Sequence, residues 1–162
     1  PLSGMTKLES LRIRGENYVT DYSPLSGMKD LKELEMPENQ FHQAVDISPF
    51  SGLTSLESLR MGCNVRDLEP LRGLSSLKSL RLTGRTSGSG DDIFSTLEPL
   101  SSLTGLVELE LQSDVISDLS PLAVLTNLKS LDLTVPQATD LSPLLGLPNL
   151  EKAEVNGEKV AR

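Results

Sequence analysis

A proline followed by an apolar residue occurs seven times along this chain of 162 residues, and an apolar pattern resembling L-x-x-L-x-L begins seven residues after each proline. The prolines are Pro1, Pro24, Pro49, Pro70, Pro99, Pro121 and Pro143. The patterns begin at Leu8, Leu31, Leu56, Leu77, Leu106, Leu128 and Leu150. Successive prolines are 23, 25, 21, 29, 22 and 22 residues apart, so the length varies only between a pattern and the next proline. A repeat of this size is typical of a solenoid, in which each repeat forms one coil that stacks on its neighbours.

Residues 118–133 are a regular copy and indicate what one coil contains. Ser120 directly precedes Pro121, and this pair predicts a short helical turn with the serine as N-cap and the proline, whose φ is already helical, behind it. Leu131 and Leu133 alternate with polar residues, and this period of two predicts a strand with one buried face. The serine is repeated, or replaced by glutamate, at Ser23, Ser48, Glu69, Glu98 and Ser142.

The short repeat also predicts how the coils are arranged. About 22 residues leave no room for a returning antiparallel strand, so successive strands must lie parallel in one sheet. A lone coil buries too little apolar surface to offset the ordering of its backbone, so it depends on its neighbours. We therefore expect residues 1–162 to form a single domain of seven coils. Because Pro1-Leu2-Ser3-Gly4 reads as the middle of a coil, we expect the chain to be a fragment of a longer protein.

The pattern D-[LI]-S-P-L-x-G-L-x-x-L-x-x-L-x-L, found at residues 46–61 and 118–133, resembles the 22-residue leucine-rich repeats of bacterial internalins. The resemblance covers essentially the whole chain. It implies an α/β fold, a leucine-rich repeat right-handed solenoid with about seven parallel strands on the concave face and short helical or 3-10 turns on the convex side. It also implies that the concave face carries the ligand.

The family's asparagine, which follows the strand and bonds backbone groups along the stack, is present as Asn39 and Asn64. We expect less regular turns where other residues replace it, at Glu16, Arg85, Asp114, Pro136 and Glu158.

The strand residues that alternate with the buried leucines are expected to point outward onto the concave face. The central outward residues of the seven strands are Arg12, Glu35, Arg60, Arg81, Glu110, Asp132 and Glu154. Arg12, Glu35 and Arg60 alternate in sign on adjacent strands, so these three could simply pair with one another.

The second half of this row carries a different pattern. Glu110, Asp132 and Glu154 place carboxylates side by side on neighbouring strands, where like charges repel. Lys129 and Lys152 could compensate for this repulsion. Otherwise, the three carboxylates favour a cationic partner surface.

The longest insertion, residues 83–95, is rich in glycine and serine, a composition typical of a mobile loop. Ile93 and Phe94 lie beside Asp91 and Asp92, and together they could form a contact patch. Alternatively, Ile93 or Phe94 packs into the convex side and the glycines form a simple bulge. The sequence thus predicts these partner-binding residues: Arg12, Arg14, Glu35, Arg60, Arg81, Glu108, Glu110, Asp132, Glu154, Arg85, Asp91, Asp92 and Phe94.

Composition and residue placement argue against several function classes. A formal charge of −8 disfavours nucleic acid, whose binding depends on lysine and arginine neutralising phosphates. No apolar run approaches the roughly 18 residues that a membrane-spanning helix needs, so we expect no membrane insertion. His42 and Cys63, each the only residue of its type, lie in different loops and are a poor basis for a catalytic pair. We expect no enzymatic activity, metal or cofactor.

An aspartate stands three residues before the proline in five coils. These residues are Asp21, Asp46, Asp67, Asp118 and Asp140. A column of calcium sites is conceivable, but carboxylates that accept backbone N–H groups at each turn explain the pattern better.

Taken together, these features predict a module that binds a protein partner through its concave sheet face and the adjacent loops. The resemblance implies a protein of the bacterial cell surface or a secreted protein. The alternatives are an intracellular scaffold or regulatory subunit that holds an enzyme, and a structural spacer for a flanking domain.

Overall fold

The computed structural model describes residues 4–14, 19, 21–38, 44–62, 65–83 and 94–160. Its strands are β1 (Ser10–Arg12), β2 (Glu33–Glu38), β3 (Ser58–Gly62), β4 (Ser79–Thr83), β5 (Glu108–Gln112), β6 (Ser130–Thr134), β7 (Lys152–Val155) and β8 (Glu158–Lys159). Short 3-10 turns span Ser23–Leu25, Ser48–Gly52, Glu69–Leu71, Glu98–Ser102 and Ser120–Val124, and one helical turn, α1, spans Ser142–Leu145. Strands and turns therefore alternate along the chain, as the sequence predicts.

The strands form one sheet in chain order. β1 to β6 each pair in parallel with the next strand, and β8 pairs antiparallel with β7. The leucines stay in register across this sheet, so that Leu59 lies opposite Leu34 on one side and Leu80 on the other. The parallel stack and the leucine-rich repeat solenoid predicted from the sequence are both confirmed.

A single hydrophobic core runs through the stack between the sheet and the turns. The sheet contributes its inward leucines, and the turns contribute the apolar residue that follows each proline. The buried turn residues are Leu25, Phe50, Leu71, Leu100, Leu122 and Leu144. Because the inward residues of each strand lie in this core, the residues that alternate with them lie on the opposite face of the sheet, where they can contact a partner.

The capping of the turns differs from the sequence prediction. Each turn begins at the residue that was expected to be its cap, and no serine side chain caps a turn. Instead, the backbone N–H of Ser120 donates to Asp118 Oδ1 at 2.8 Å. The four other aspartates of the column accept the equivalent bond at 2.8 to 2.9 Å. The serine N-cap was therefore wrong, and the carboxylate acceptor is confirmed.

These bonds lower the pKa values of Asp21, Asp46, Asp118 and Asp140. The N–H and hydroxyl of Ser120 lower the pKa of Asp118, and those of Ser48 and Ser142 do the same for Asp46 and Asp140. For Asp21, the hydroxyl of Ser23 is the larger cause of the lowered pKa and its N–H the smaller. The lowered pKa values show that each carboxylate is stabilised in its charged form by the turn that it holds.

The C-terminal hairpin is a feature that the sequence reasoning missed. Asn156 and Gly157 join β7 to β8 with φ values of 54° and 80°. An Asn-Gly pair with two positive φ angles is the usual signature of a tight hairpin, so the signal was present in the sequence. Asn156 Oδ1 also accepts the N–H of Val135 at 2.7 Å, which ties the hairpin to the previous coil. The family-type asparagines, Asn39 and Asn64, lie outside the described residues.

Candidate functional site

The outward residues of the strands line a groove of about 490 Å³ that extends from Arg12 on β1 to Lys152 on β7. The central residues lie opposite one another across the sheet because the strands are in register. In strand order this central row consists of Arg12, Glu35, Arg60, Arg81, Glu110, Asp132 and Glu154. The structure thus brings these seven predicted residues together on one surface.

Arg12 occupies the N-terminal end of the groove and is held by two carboxylates. Its Nη2 lies 3.4 Å from Glu33 Oε2, and its Nε lies 3.7 Å from Glu35 Oε2. The hydroxyl of Ser10 donates to the same Glu33 oxygen at 3.0 Å. The predicted pairing of Arg12 with Glu35 is therefore correct, although Glu33 shares the guanidinium.

Arg60 lies at the middle of the groove between Glu35 and Arg81. It is exposed, and it forms no ion pair with any of the described residues. The predicted lateral pairing of Glu35 with Arg60 is wrong, because the Glu35 carboxylate turns towards Arg12 instead.

Arg81 and Glu110 form the shortest ion pair within the groove. Arg81 Nη1 lies 3.0 Å from Glu110 Oε2, and both side chains are about one-third exposed, at 36% and 35%. Beside this pair, the hydroxyl of Ser79 donates to Glu108 Oε2 at 3.1 Å. The sequence reasoning did not consider the Arg81–Glu110 pair, although opposite charges on adjacent strands were the signal for it.

Asp132, which lines the groove, lies opposite Glu154 at the C-terminal end of the central row, and Glu154 in turn lies opposite Lys159 of β8. Among the described residues, no cation lies within ion-pairing distance of either carboxylate. Lys129 does not compensate for them, since its Nζ lies 3.4 Å from Glu151 Oε1 outside the row. Lys152 lines the groove on β7, opposite Ser130, and within the described part of the chain it forms no ion pair.

Of the remaining predicted site residues, one is exposed, one is buried in the core and three lie outside the described residues. Arg14 lies just beyond β1 and is exposed. Phe94 is 7% exposed and belongs to the core, and its N–H donates to the carbonyl of Val65 at 3.0 Å. Its prediction as a partner contact is therefore corrected, because the side chain packs inside the solenoid. Arg85, Asp91 and Asp92 lie outside the described residues.

The described segments contain neither a metal-binding cluster nor a membrane-spanning helix. In these segments, no three His, Cys, Asp or Glu side chains are grouped so that they could hold a metal ion. Over the same part of the chain, no helix is both long and apolar enough to cross a membrane.

The stacked parallel strands, the short turns and the continuous leucine core define a leucine-rich repeat protein. Comparison with solved structures makes the type more specific: the chain is internalin-like. It shares 27% identity with internalin C2 of Listeria monocytogenes, with a TM-score of 0.67, over 95% of this chain and 74% of that one. It shares 29% identity with internalin F of the same organism, with a TM-score of 0.73, over 95% of this chain and 43% of that one.

A leucine-rich repeat protein of Leptospira interrogans has the same fold at 21% identity and a TM-score of 0.58, over 96% of this chain and 45% of that one. The chain thus spans less than half of the internalin F and Leptospira chains. No protein-family model and no curated protein sequence matches the chain. Solenoids of this class are typically binding modules rather than enzymes, and the chain is accordingly a protein-interaction module.

Proposed function

We propose that the groove on the strand face binds a protein partner and that the chain acts on the surface of a bacterium or as a secreted protein. The observation that carries the proposal is the continuous row of outward charged side chains along a groove of about 490 Å³. The surface or secreted setting is supported by the similarity to the two Listeria internalins.

The composition of the groove supports a polar, charge-selective contact. Its walls combine arginine and carboxylate side chains with the serine hydroxyls of Ser58, Ser79 and Ser130. Arginine is the residue most suited to a strong contact here, because binding hot spots favour Trp, Tyr and Arg and none of the described residues that line the groove is aromatic. Charged rims mainly raise the association rate and the selectivity of a complex, so we expect a moderate, salt-sensitive affinity.

The proposal is tested by affinity capture from a lysate and from the culture surface of the source organism. One bait is the natural chain, and the other carries Arg60→Glu, Arg81→Glu, Glu110→Lys and Asp132→Lys. These changes reverse the charge of the groove centre, and the exchanged Arg81 and Glu110 can still pair with each other. We expect a partner whose recovery falls at least about tenfold with the altered bait.

The matched control carries Lys29→Glu and Glu98→Lys, two exposed positions on the turns. This control also leaves the net charge unchanged, and it should recover the partner like the natural chain. Loss with both altered baits would indicate a general charge effect and would contradict a groove site. Equal recovery with all three baits would favour a structural spacer, and a partner enzyme from the cell interior would favour an intracellular scaffold.

A further inference from the structure

The unpaired charges of the groove are separated along its length, and this separation specifies the kind of partner that it fits. We propose that the groove accepts a dipolar polypeptide segment that crosses the strands in one direction, with an acidic side chain against Arg60 and basic side chains against Asp132 and Glu154. The proposal rests on the proposed function, because it concerns the partner of the same groove.

The acid-binding position is built around Arg60. Both residues opposite it are already engaged: Glu35 lies 3.7 Å from Arg12, and Arg81 lies 3.0 Å from Glu110. Arg60 therefore keeps its full donor capacity for a ligand, and Arg81 adds a second positive charge on the adjacent strand. A carboxylate bound here would accept two parallel hydrogen bonds from the planar guanidinium and would relieve the repulsion between the two arginines.

The base-binding position is formed by Asp132 and Glu154 on β6 and β7. These carboxylates lie opposite each other on adjacent strands, and within the described residues neither forms an ion pair, although Lys159 of β8 lies opposite Glu154. A lysine or arginine of the partner would relieve this repulsion as well as gain its own ion pairs. Relief of repulsion at both ends gives a correctly oriented segment an advantage that a reversed segment lacks, because reversal would bring like charges together.

The distance between the two positions follows from the sheet geometry. β3 and β6 are three strands apart, which corresponds to about 14 Å at the usual strand spacing of about 4.8 Å. An extended chain covers about 14 Å in four residues. The fitting segment therefore carries an acidic residue and a basic residue four positions apart, in contrast to a segment with closely mixed charges.

The test uses a blocked heptapeptide made of two aspartates, a Gly-Ser-Gly spacer and two lysines, with a nitroxide spin label at the aspartate end. Its binding to the isotope-labelled chain is followed by NMR at about 10 mM salt, where the Debye length is about 30 Å. We expect the amide signals of β3 and β4 to broaden more strongly than those of β6 and β7. We also expect about three- to tenfold tighter binding than for an Asp-Lys-Lys-Asp-Gly-Ser-Gly peptide of the same composition, in which no acidic and basic residues are four positions apart.

A variant with Arg60→Glu, Arg81→Glu, Asp132→Lys and Glu154→Lys should bind the same labelled peptide in the opposite direction. Broadening should then move to β6 and β7. Its amide spectrum also reports whether the fold is retained, and the orientation seen with the natural chain tests the proposal independently of this variant. The turn variant with Lys29→Glu and Glu98→Lys should behave like the natural chain.

Equal affinity for the two peptides, broadening spread evenly over the groove, or no binding of either peptide would overturn the proposal. Its failure is distinguishable from failure of the proposed function. If affinity capture recovers a partner that depends on the groove while the peptides show no orientation, only the dipolar proposal fails. If capture shows no dependence on the groove, the proposed function itself fails.

Discussion

At the residue scale, two single side chains attach irregular segments of the chain to the stacked coils. Asn156 adopts a positive φ and bonds the backbone of Val135, so one residue both forms the hairpin and joins two coils. Phe94 fills the core close to the end of the longest insertion and thereby returns the chain to the stack. Both positions are structural, although the sequence analysis placed Phe94 in a candidate contact patch.

Replacing Asn156 by alanine should lower the free energy of unfolding by about 1–3 kcal/mol, because the N–H of the buried Val135 loses its acceptor. Urea unfolding followed by circular dichroism measures the change. Asn156→Gly is the control, since glycine removes the side-chain bond but tolerates the positive φ. Alanine should be the less stable of the two by about 0.5–1 kcal/mol, and natural stability in both variants would refute the assigned role.

Replacing Phe94 by alanine should cost about 3–5 kcal/mol of stability, since it removes a large side chain from a closed core. Phe94→Leu should cost about 1.5 kcal/mol at most, because it keeps most of the apolar volume. Partner affinity, measured where each variant is fully folded, should stay within about twofold of the natural value. A stable Phe94→Ala variant that no longer binds the partner would restore Phe94 as a contact residue.

At the element scale, the turns are held by carboxylates rather than by serine caps. Five of the six described turns start at a residue whose N–H donates to the aspartate two positions earlier, so the acceptor precedes the proline by three residues. In the fifth coil Thr96 takes this place, and its Oγ1 accepts the N–H of Glu98 at 3.1 Å. An uncharged acceptor can therefore hold the same turn.

The lowered pKa values of Asp21, Asp46, Asp118 and Asp140 predict a loss of stability in acid. A carboxyl group with a lower pKa in the folded chain contributes stability above its unfolded value of 3.8, and this contribution is lost as the pH falls through the folded value. Urea midpoints measured between about pH 6 and pH 2.5 should fall on the acid side.

Asparagine at the same positions would still accept the N–H but would not titrate. A variant with Asp46→Asn and Asp118→Asn should therefore show a weaker dependence of its urea midpoint on pH than the natural chain, with the turns retained. An unchanged acid dependence would mean that other groups control it.

At the scale of the whole molecule, stability depends on contacts between neighbouring coils, and recognition depends on the face that those contacts leave free. Leu80 lies in register between Leu59 and Leu109 and is 1% exposed. Arg81, the next residue, points into the groove. Two adjacent positions thus serve packing and recognition separately.

Leu80→Ala should lower the free energy of unfolding by about 2–5 kcal/mol, because the cavity lies between two coils and weakens both interfaces. Arg81→Ala is the matched control on the same strand. It should cost less than about 1 kcal/mol, since its ion pair with Glu110 is only partly shielded from water. Chemical denaturation of both variants measures the contrast, and similar losses would contradict the separation of the two faces.

The sequence by itself determined the repeat, the positions and parallel order of β1 to β7, and the identity of the outward row. It could do so because one local pattern recurs seven times, and a period of two within each copy assigns every strand residue to a face. The acceptor role of the aspartates was also predictable, because each bond joins residues only two positions apart and is therefore part of the same local pattern.

Only the tertiary structure decided how the groove charges are distributed. Glu35 has an arginine on the strand on either side, and side-chain direction, which register alone does not specify, makes Arg12 its partner and leaves Arg60 unpaired. Arg81 likewise pairs with Glu110, while Asp132 and Glu154 form no ion pair among the described residues. Exposed ion pairs differ by less than about 1 kcal/mol, so competition between neighbours is settled by local geometry rather than by the order of charges along the chain.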